Sequence, residues 1–178
     1  MEAQFFDLKL EVVQGDISRQ TDMEAVVNAA NAALKSGGGV AGAIHRAAGP
    51  ELEKACRHLA PISPGEAVIT EAFGLPNQWV IHCLGPVYGR DKPEAQLLAN
   101  CYENALMLAE NHHIRSVAFP AISTGIFAYP LAAATEVMLN SIQKSAEKLS
   151  SLRHVRIVLY SQSDQKVVEQ TLIQILQS

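Results

Sequence analysis

Two rhythms of apolar and polar positions run along this chain. Leu8–Val13 reads LKLEVV, apolar at nearly every second position, and meets a Gly15-Asp16 turn, so it predicts a strand. Ala25–Asn28 (AVVN) is a short apolar run, the mark of a strand buried on both faces. Ala67–Ala72 and Trp79–Leu84 predict two strands around a Gly-Leu-Pro-Asn turn; Val117–Ile122 and Val155–Tyr160 predict two more. Between these segments the period lengthens to that of a helix. Val40–Ala48 predicts a helix behind three glycines, and Pro50 opens another that carries Leu52, Ala55 and Leu59. Pro93–Asn111 sets Leu98, Tyr102, Ala105, Leu106 and Ala109 at helical spacing, and a further helix is expected over Pro130–Leu149. The last helix is expected to be capped by Asp164, with Val167, Val168, Leu172, Ile175 and Leu176 along one face.

Strands alternating with helices predict an α/β domain whose helices cover both faces of a largely buried sheet. No repeat, linker or low-complexity run interrupts the pattern, so one domain over residues 1–178 is expected. Composition narrows the function. The 178 residues are 48% hydrophobic and 18% charged, enough to bury a core without staples. A net charge of -4 at pH 7 argues against bulk attraction to nucleic acid, while a small anion needs only a local positive site. Cys56, Cys83 and Cys101 form no CxxC pair and are odd in number, which predicts reduced thiols rather than a disulfide or metal site. MEAQFFDLKL lacks a signal-peptide pattern, and no apolar run is long enough to cross a bilayer. A cytoplasmic protein with no membrane role, no metal and no cofactor is expected.

Chemistry concentrates in four loops that follow strands: Gly15-Asp16-Ile17, Asn28-Ala29-Ala30-Asn31, Gly37-Gly38-Gly39 and Ser123-Thr124-Gly125-Ile126-Phe127. In an open α/β sheet such loops gather where ligands bind. Glycines let backbone N–H groups approach a phosphate, and a helix N-terminus adds partial positive charge. Two facing loops of this kind suit a pyrophosphate. The order GGGVAG is not the dinucleotide fingerprint GxGxxG, and no lysine follows it as a P-loop requires. Asp16 reads either as a turn cap or as an acceptor for an exocyclic amine such as adenine's. Asn28 and Asn31 each carry an amide able to bind a ribose hydroxyl pair or to bond backbone within a turn.

GDI at 15–17, VNAAN at 27–31, GGGVAGAIHRAAG at 37–49, HCLGP at 82–86 and FPAISTGIFAYP at 119–130 together resemble the macrodomain family. The resemblance runs in order from about residue 10 to 165 and points to the MacroD type, which includes bacterial O-acetyl-ADP-ribose deacetylases. It implies a three-layer α/β/α sandwich with a six-stranded mixed sheet. It implies ADP-ribose or O-acetyl-ADP-ribose as ligand, mono-ADP-ribosylated proteins as further partners, and hydrolysis of the ester. Carried over, Asp16 binds the adenine amine, Ile17 touches the ring and Tyr160 stacks on it. Gly38, Gly39 and Val40 cradle one phosphate; Ser123, Thr124, Gly125, Ile126 and Phe127 wrap the other, with Phe127 covering the distal ribose. Asn31 holds that ribose beside the scissile bond and is the expected catalytic residue.

The sequence departs from the resemblance at Ala41, where MacroD-type hydrolases carry Asp. A methyl group accepts no proton, so general-base help worth about 10²–10⁴-fold is missing. Some macrodomains, including viral ones reading GGGVAG, resemble this sequence at that point and still hydrolyse ADP-ribosyl esters. Two other outcomes stay open: a non-catalytic ADP-ribose reader, and an ADP-ribose 1″-phosphate phosphatase. His45, four residues beyond Ala41, reads as a displaced base or as a structural group. His82, in an apolar strand, reads as a core histidine.

Overall fold

Seven strands form one sheet in the computed structural model, which describes all residues from Met1 to Ser178. The strands are β1 (Glu2–Phe5), β2 (Leu8–Gln14), β3 (Ala25–Ala29), β4 (Ala67–Glu71), β5 (Trp79–Cys83), β6 (Ser116–Phe119) and β7 (His154–Leu159). Their spatial order is β1-β2-β7-β6-β3-β5-β4. The inner five run parallel, and β1 and β4 close the two edges antiparallel. The expectation of a mixed sheet within an α/β/α sandwich holds. The count of six strands does not, because Glu2–Phe5 adds an edge strand. Its four residues pair antiparallel with β2 and bury only Phe5, too little for a periodic signal.

Five helices complete the layers: α1 (Gly39–Ala48), α2 (Pro50–Cys56), α3 (Glu94–Asn111), α4 (Leu131–Ala146) and α5 (Gln162–Gln177). Neighbouring residues of a strand face opposite ways, so the sheet feeds two cores. Leu8, Leu10, Val12, Val27, Val117, Phe119, Val155 and Ile157 join the larger core with α3, α4 and α5. Val26, Val80, Ala118 and Val158 face the other way and meet Ile44, Ala48 and Leu52 from α1 and α2. Each fully buried Val, Leu or Ile contributes about 1.5–3 kcal/mol of transfer free energy. That burial fixes α1 on the sheet and so fixes the glycine turn that precedes it.

The last helix starts differently from expectation. Ser161, not Asp164, is its N-cap: the Ser161 hydroxyl accepts a hydrogen bond from the Asp164 amide at 3.1 Å. Asp164 instead lies in the first turn, where a carboxylate favours the helix dipole.

Candidate functional site

Because β2, β3, β6 and β7 are parallel, the loops after them emerge on one side of the molecule. They enclose a cleft of about 720 Å³, a size that suits a small organic ligand. Asp16, Ile17, Asn31, Gly38, Gly39, Val40, Ser123, Thr124, Gly125, Ile126, Phe127 and Tyr160 all line it. Asn28 does not, which corrects the expectation that it meets a ribose. It is 1% exposed, and strand register sets it beside His82 of β5. The Asn28 amide nitrogen lies 3.1 Å from His82 Nδ1, and His82 Nε2 lies 3.0 Å from the Thr70 hydroxyl. Burial pushes the His82 pKa down to about 3, so this ring is neutral at pH 7. An amide N–H donated to Nδ1 leaves the proton on Nε2, which then donates to Thr70.

The glycine turn forms one wall. Gly38 caps α1 without a side-chain hydrogen bond, and Gly39 has φ +55°, a conformation that favours glycine. Only the Gly42 amide reaches back, to the Gly38 carbonyl at 3.2 Å; those of Gly39, Val40 and Ala41 have no acceptor within the chain. A helix start leaves such donors unpaired, and an anion satisfies them. Gly42 allows the tight approach, since a Cβ there would collide with the Gly37 carbonyl.

The loop after β6 lines the same cleft. The Tyr102 hydroxyl accepts from the Ile122 amide at 3.1 Å, and the Tyr129 amide donates to the Ser123 carbonyl at 2.9 Å. Those two bonds fix the ends of the loop. Ser123 and Ala128 both take positive φ, +69° and +61°. Between them, the amides of Gly125, Ile126 and Phe127 have no acceptor within the chain. Thr124 spends its hydroxyl proton on the Ala121 carbonyl at 2.8 Å. Ile126 and Tyr160 stand at the rim, 89% and 88% exposed.

Asp16 caps the turn after β2, the first of its two readings from the sequence. Its Oδ1 accepts from the Ser18 amide at 2.9 Å and the Ser18 hydroxyl at 2.6 Å. Oδ2 meets only the exposed Arg19, at 3.7 Å. The Ser18 bonds, helped by Arg19 and Arg46 and opposed by burial, hold the carboxyl below its usual range. Asp16 therefore caps its turn and keeps an ionised oxygen open to the cleft.

Asn31 is oriented by its own turn: its Nδ2 donates to the Lys35 carbonyl at 2.8 Å, and its Oδ1 accepts from the Lys35 amide at 3.0 Å. A primary amide has two donors and two acceptor sites, so one of each remains. Ala41 lines the cleft with a methyl group that is 5% exposed. His45 is buried, lies off the cleft lining, and is held neutral by burial. It is a structural group rather than a displaced base.

Arg46, Gly85 and Asp164 line the cleft although the sequence did not point to them as site residues. Arg46 is the one cation on the lining, and the helical stripe Gly39–Ala43–Arg46 would have found it. Gly85 follows β5 inside the HCLGP segment and leaves room for Ser123. Asp164, in the first turn of α5, also lines the cleft.

An α/β/α sandwich with unpaired amides on two loops that line one cleft is an arrangement able to accept a small anion. The chain belongs to the macrodomain family: the Macro domain model matches residues 27–138. It is 46% identical over 167 residues to a macro domain-containing protein of Lactiplantibacillus plantarum, covering 93% of this chain and 96% of that one. It is 45% identical over 171 residues to an O-acetyl-ADP-ribose deacetylase of Salmonella typhimurium, covering 93% and 95%. Its structure is similar to that of an Oceanobacillus iheyensis macrodomain variant with ADP-ribose. That match has a TM-score of 0.95 and 38% identity, covering 100% of this chain and 99% of the other.

Proposed function

We propose that this cleft binds ADP-ribose and that the protein hydrolyses ADP-ribosyl esters. The substrates are O-acetyl-ADP-ribose and mono-ADP-ribose esterified to acidic side chains of proteins. The observation that carries the reading is the pair of unpaired amide sets, Gly39–Ala41 and Gly125–Phe127, on two loops that line one cleft. Two separate donor sets in one cleft suit the two phosphates of a diphosphate. The oriented Asn31 and the ionised Asp16 supply polar groups for its two ends. Likeness to a protein named a deacetylase, and to a macrodomain with ADP-ribose, supports the same reading. Three buried thiols suit a reducing compartment and support a cytoplasmic location.

In this reading Asp16 accepts from the adenine amine, Ile17 touches the ring and Tyr160 stacks on it. Gly38, Gly39, Val40 and Arg46 surround one phosphate, and Ser123–Phe127 surround the other. Asn31 uses its remaining donor and acceptor on the distal ribose hydroxyls. Water adds to the acyl carbon, the ribose oxygen leaves and takes a proton, and ADP-ribose and the free acid result. Ala41 takes no part in proton transfer. The ligand's own phosphate is the base available to order the water, and rate comes from positioning and from fixed dipoles.

Ala41 favours a second reading, a reader that holds ADP-ribose without cleaving it. Release of free ADP-ribose and acetate from O-acetyl-ADP-ribose separates the two. We expect turnover by the wild type, with Asn31→Ala slower by about 10²-fold as the ribose loses its orientation. Tight binding of ADP-ribose without product would establish the reader. Release of phosphate from ADP-ribose 1″-phosphate is the parallel test for phosphatase action.

A further inference from the structure

Asp16 belongs to a short turn, and the turn is held from beneath. Ile17–Arg19 forms a single 3-10 turn, which has little stability of its own. What steadies it is Gln20, a polar residue only 7% exposed. Gln20 Nε2 donates to the Asp16 carbonyl at 2.8 Å. Gln20 Oε1 accepts from Arg156 Nη1 at 3.0 Å. The Gln20 carbonyl accepts from Asn77 Nδ2 at 2.8 Å.

Arg156 is itself fixed. On β7, Val155 and Ile157 enter the larger core, so Arg156 projects to the face that carries the Asp16 turn. It is in register with Glu11 of β2, and its Nε donates to Glu11 Oε1 at 2.9 Å. Its Nη1 and Nη2 bind the two Asp22 oxygens at 2.7 and 2.8 Å. His154 Nε2 lies 2.7 Å from the same Glu11 oxygen. The planar fork of a guanidinium suits this use, with four donated bonds in fixed directions. One side chain thus ties β7, which leads to Tyr160, to the turn that bears Asp16.

We propose that Gln20 is a positioning residue for base recognition: it braces the Asp16 turn against Arg156 and so sets the purine preference of the cleft. This rests on the proposed binding of ADP-ribose. Gln20 touches no ligand. It holds the carboxylate where an exocyclic amine reaches it, and without the brace the Asp16 carbonyl keeps only the Arg19 amide bond, at 3.0 Å, while the Ser18 bonds hold the carboxylate to the turn but not the turn to the sheet. Arg156 would still pair with Glu11 and Asp22, so the loss stays local.

The test compares ADP-ribose with inosine diphosphate ribose, which lacks the exocyclic amine, by calorimetry on wild type, Asp16→Ala and Gln20→Leu. Leucine keeps the buried volume and removes both side-chain bonds. The wild type should prefer ADP-ribose, and Asp16→Ala should erase the preference. Gln20→Leu should reduce that preference by about five- to tenfold, the scale of one lost hydrogen bond, with nearly unchanged affinity for inosine diphosphate ribose. A merely structural role would weaken both ligands together. Gln20→Met carries the same loss on a flexible side chain and serves if the leucine variant does not fold. Full preference retained by a folded Gln20 variant overturns the inference and leaves ADP-ribose binding intact. No preference in the wild type also overturns it. Failure of the wild type to bind ADP-ribose overturns the functional reading beneath it.

Discussion

Asn28 and Asn31 lie three positions apart in one segment and have opposite fates. Asn28 is still within β3, where alternation and register aim it at His82 inside the smaller core. Asn31 lies past the strand end, and its own turn presents it to the cleft. Residue type alone did not separate them; the place where the strand stops did. Gly85 shows the same limit, since nothing in its neighbours announces its use. A methyl group added there would press on the Ser123 hydroxyl and approach Ile122 Cγ2 to 2.6 Å. Gly85→Ala should therefore shift the Ser123–Phe127 loop, at the usual overpacking cost of about 1–3 kcal/mol. We expect a lower melting temperature and ADP-ribose affinity reduced about tenfold. Unchanged affinity in a calorimetric titration would show that the loop absorbs the methyl group without moving its amides.

The elements were mostly legible because apolar periodicity and buried area coincide. The central strands read as apolar runs and lie in the middle of the sheet. Legibility failed where an element depends on a partner rather than on its own pattern. The edge strand β1 exists through pairing with β2, and the start of α5 depends on which of two polar side chains turns inward. A third such contact is long-range. Glu110, near the end of α3, accepts from the amides of Ser150, Ser151 and Leu152 and from the Ser150 hydroxyl, at 2.7–3.0 Å for the best bond of each. Burial alone would raise its pKa, but these bonds outweigh it and bring it down to about 2 from 4.5. A depressed carboxyl stabilises the fold above its unfolded pKa, and the stabilisation is lost as pH falls through the folded value. The window is therefore pH 4.5 down to about 2. After allowance for solvent screening, the contribution is about 1–2 kcal/mol. Glu110→Gln should lower stability at pH 7 and converge on wild type near pH 2 in denaturant titrations. A constant difference across that range would assign the effect to packing instead.

At the scale of the whole molecule, the parallel arrangement of five inner strands does the assembling. It brings loops separated by more than a hundred residues to one side of the sheet. The two cores lock α1 on one face and α3 on the other, and these support the two amide-bearing walls. Ala41 sits at the start of α1 on one of those walls, where it adds a donor N–H and no proton acceptor. We propose that such a site still hydrolyses ADP-ribosyl esters, by positioning rather than by a carboxylate base. Adding that base should then help: Ala41→Asp should raise turnover, by up to about 10²-fold. The most direct measurement is the rate at which purified wild-type protein releases free ADP-ribose from O-acetyl-ADP-ribose, with Asn31→Ala beside it. Release well above the uncatalysed rate is expected from the wild type, and a rate reduced about 10²-fold from the variant. Release by the wild type no faster than the uncatalysed reaction, in protein that binds ADP-ribose, would contradict the proposal.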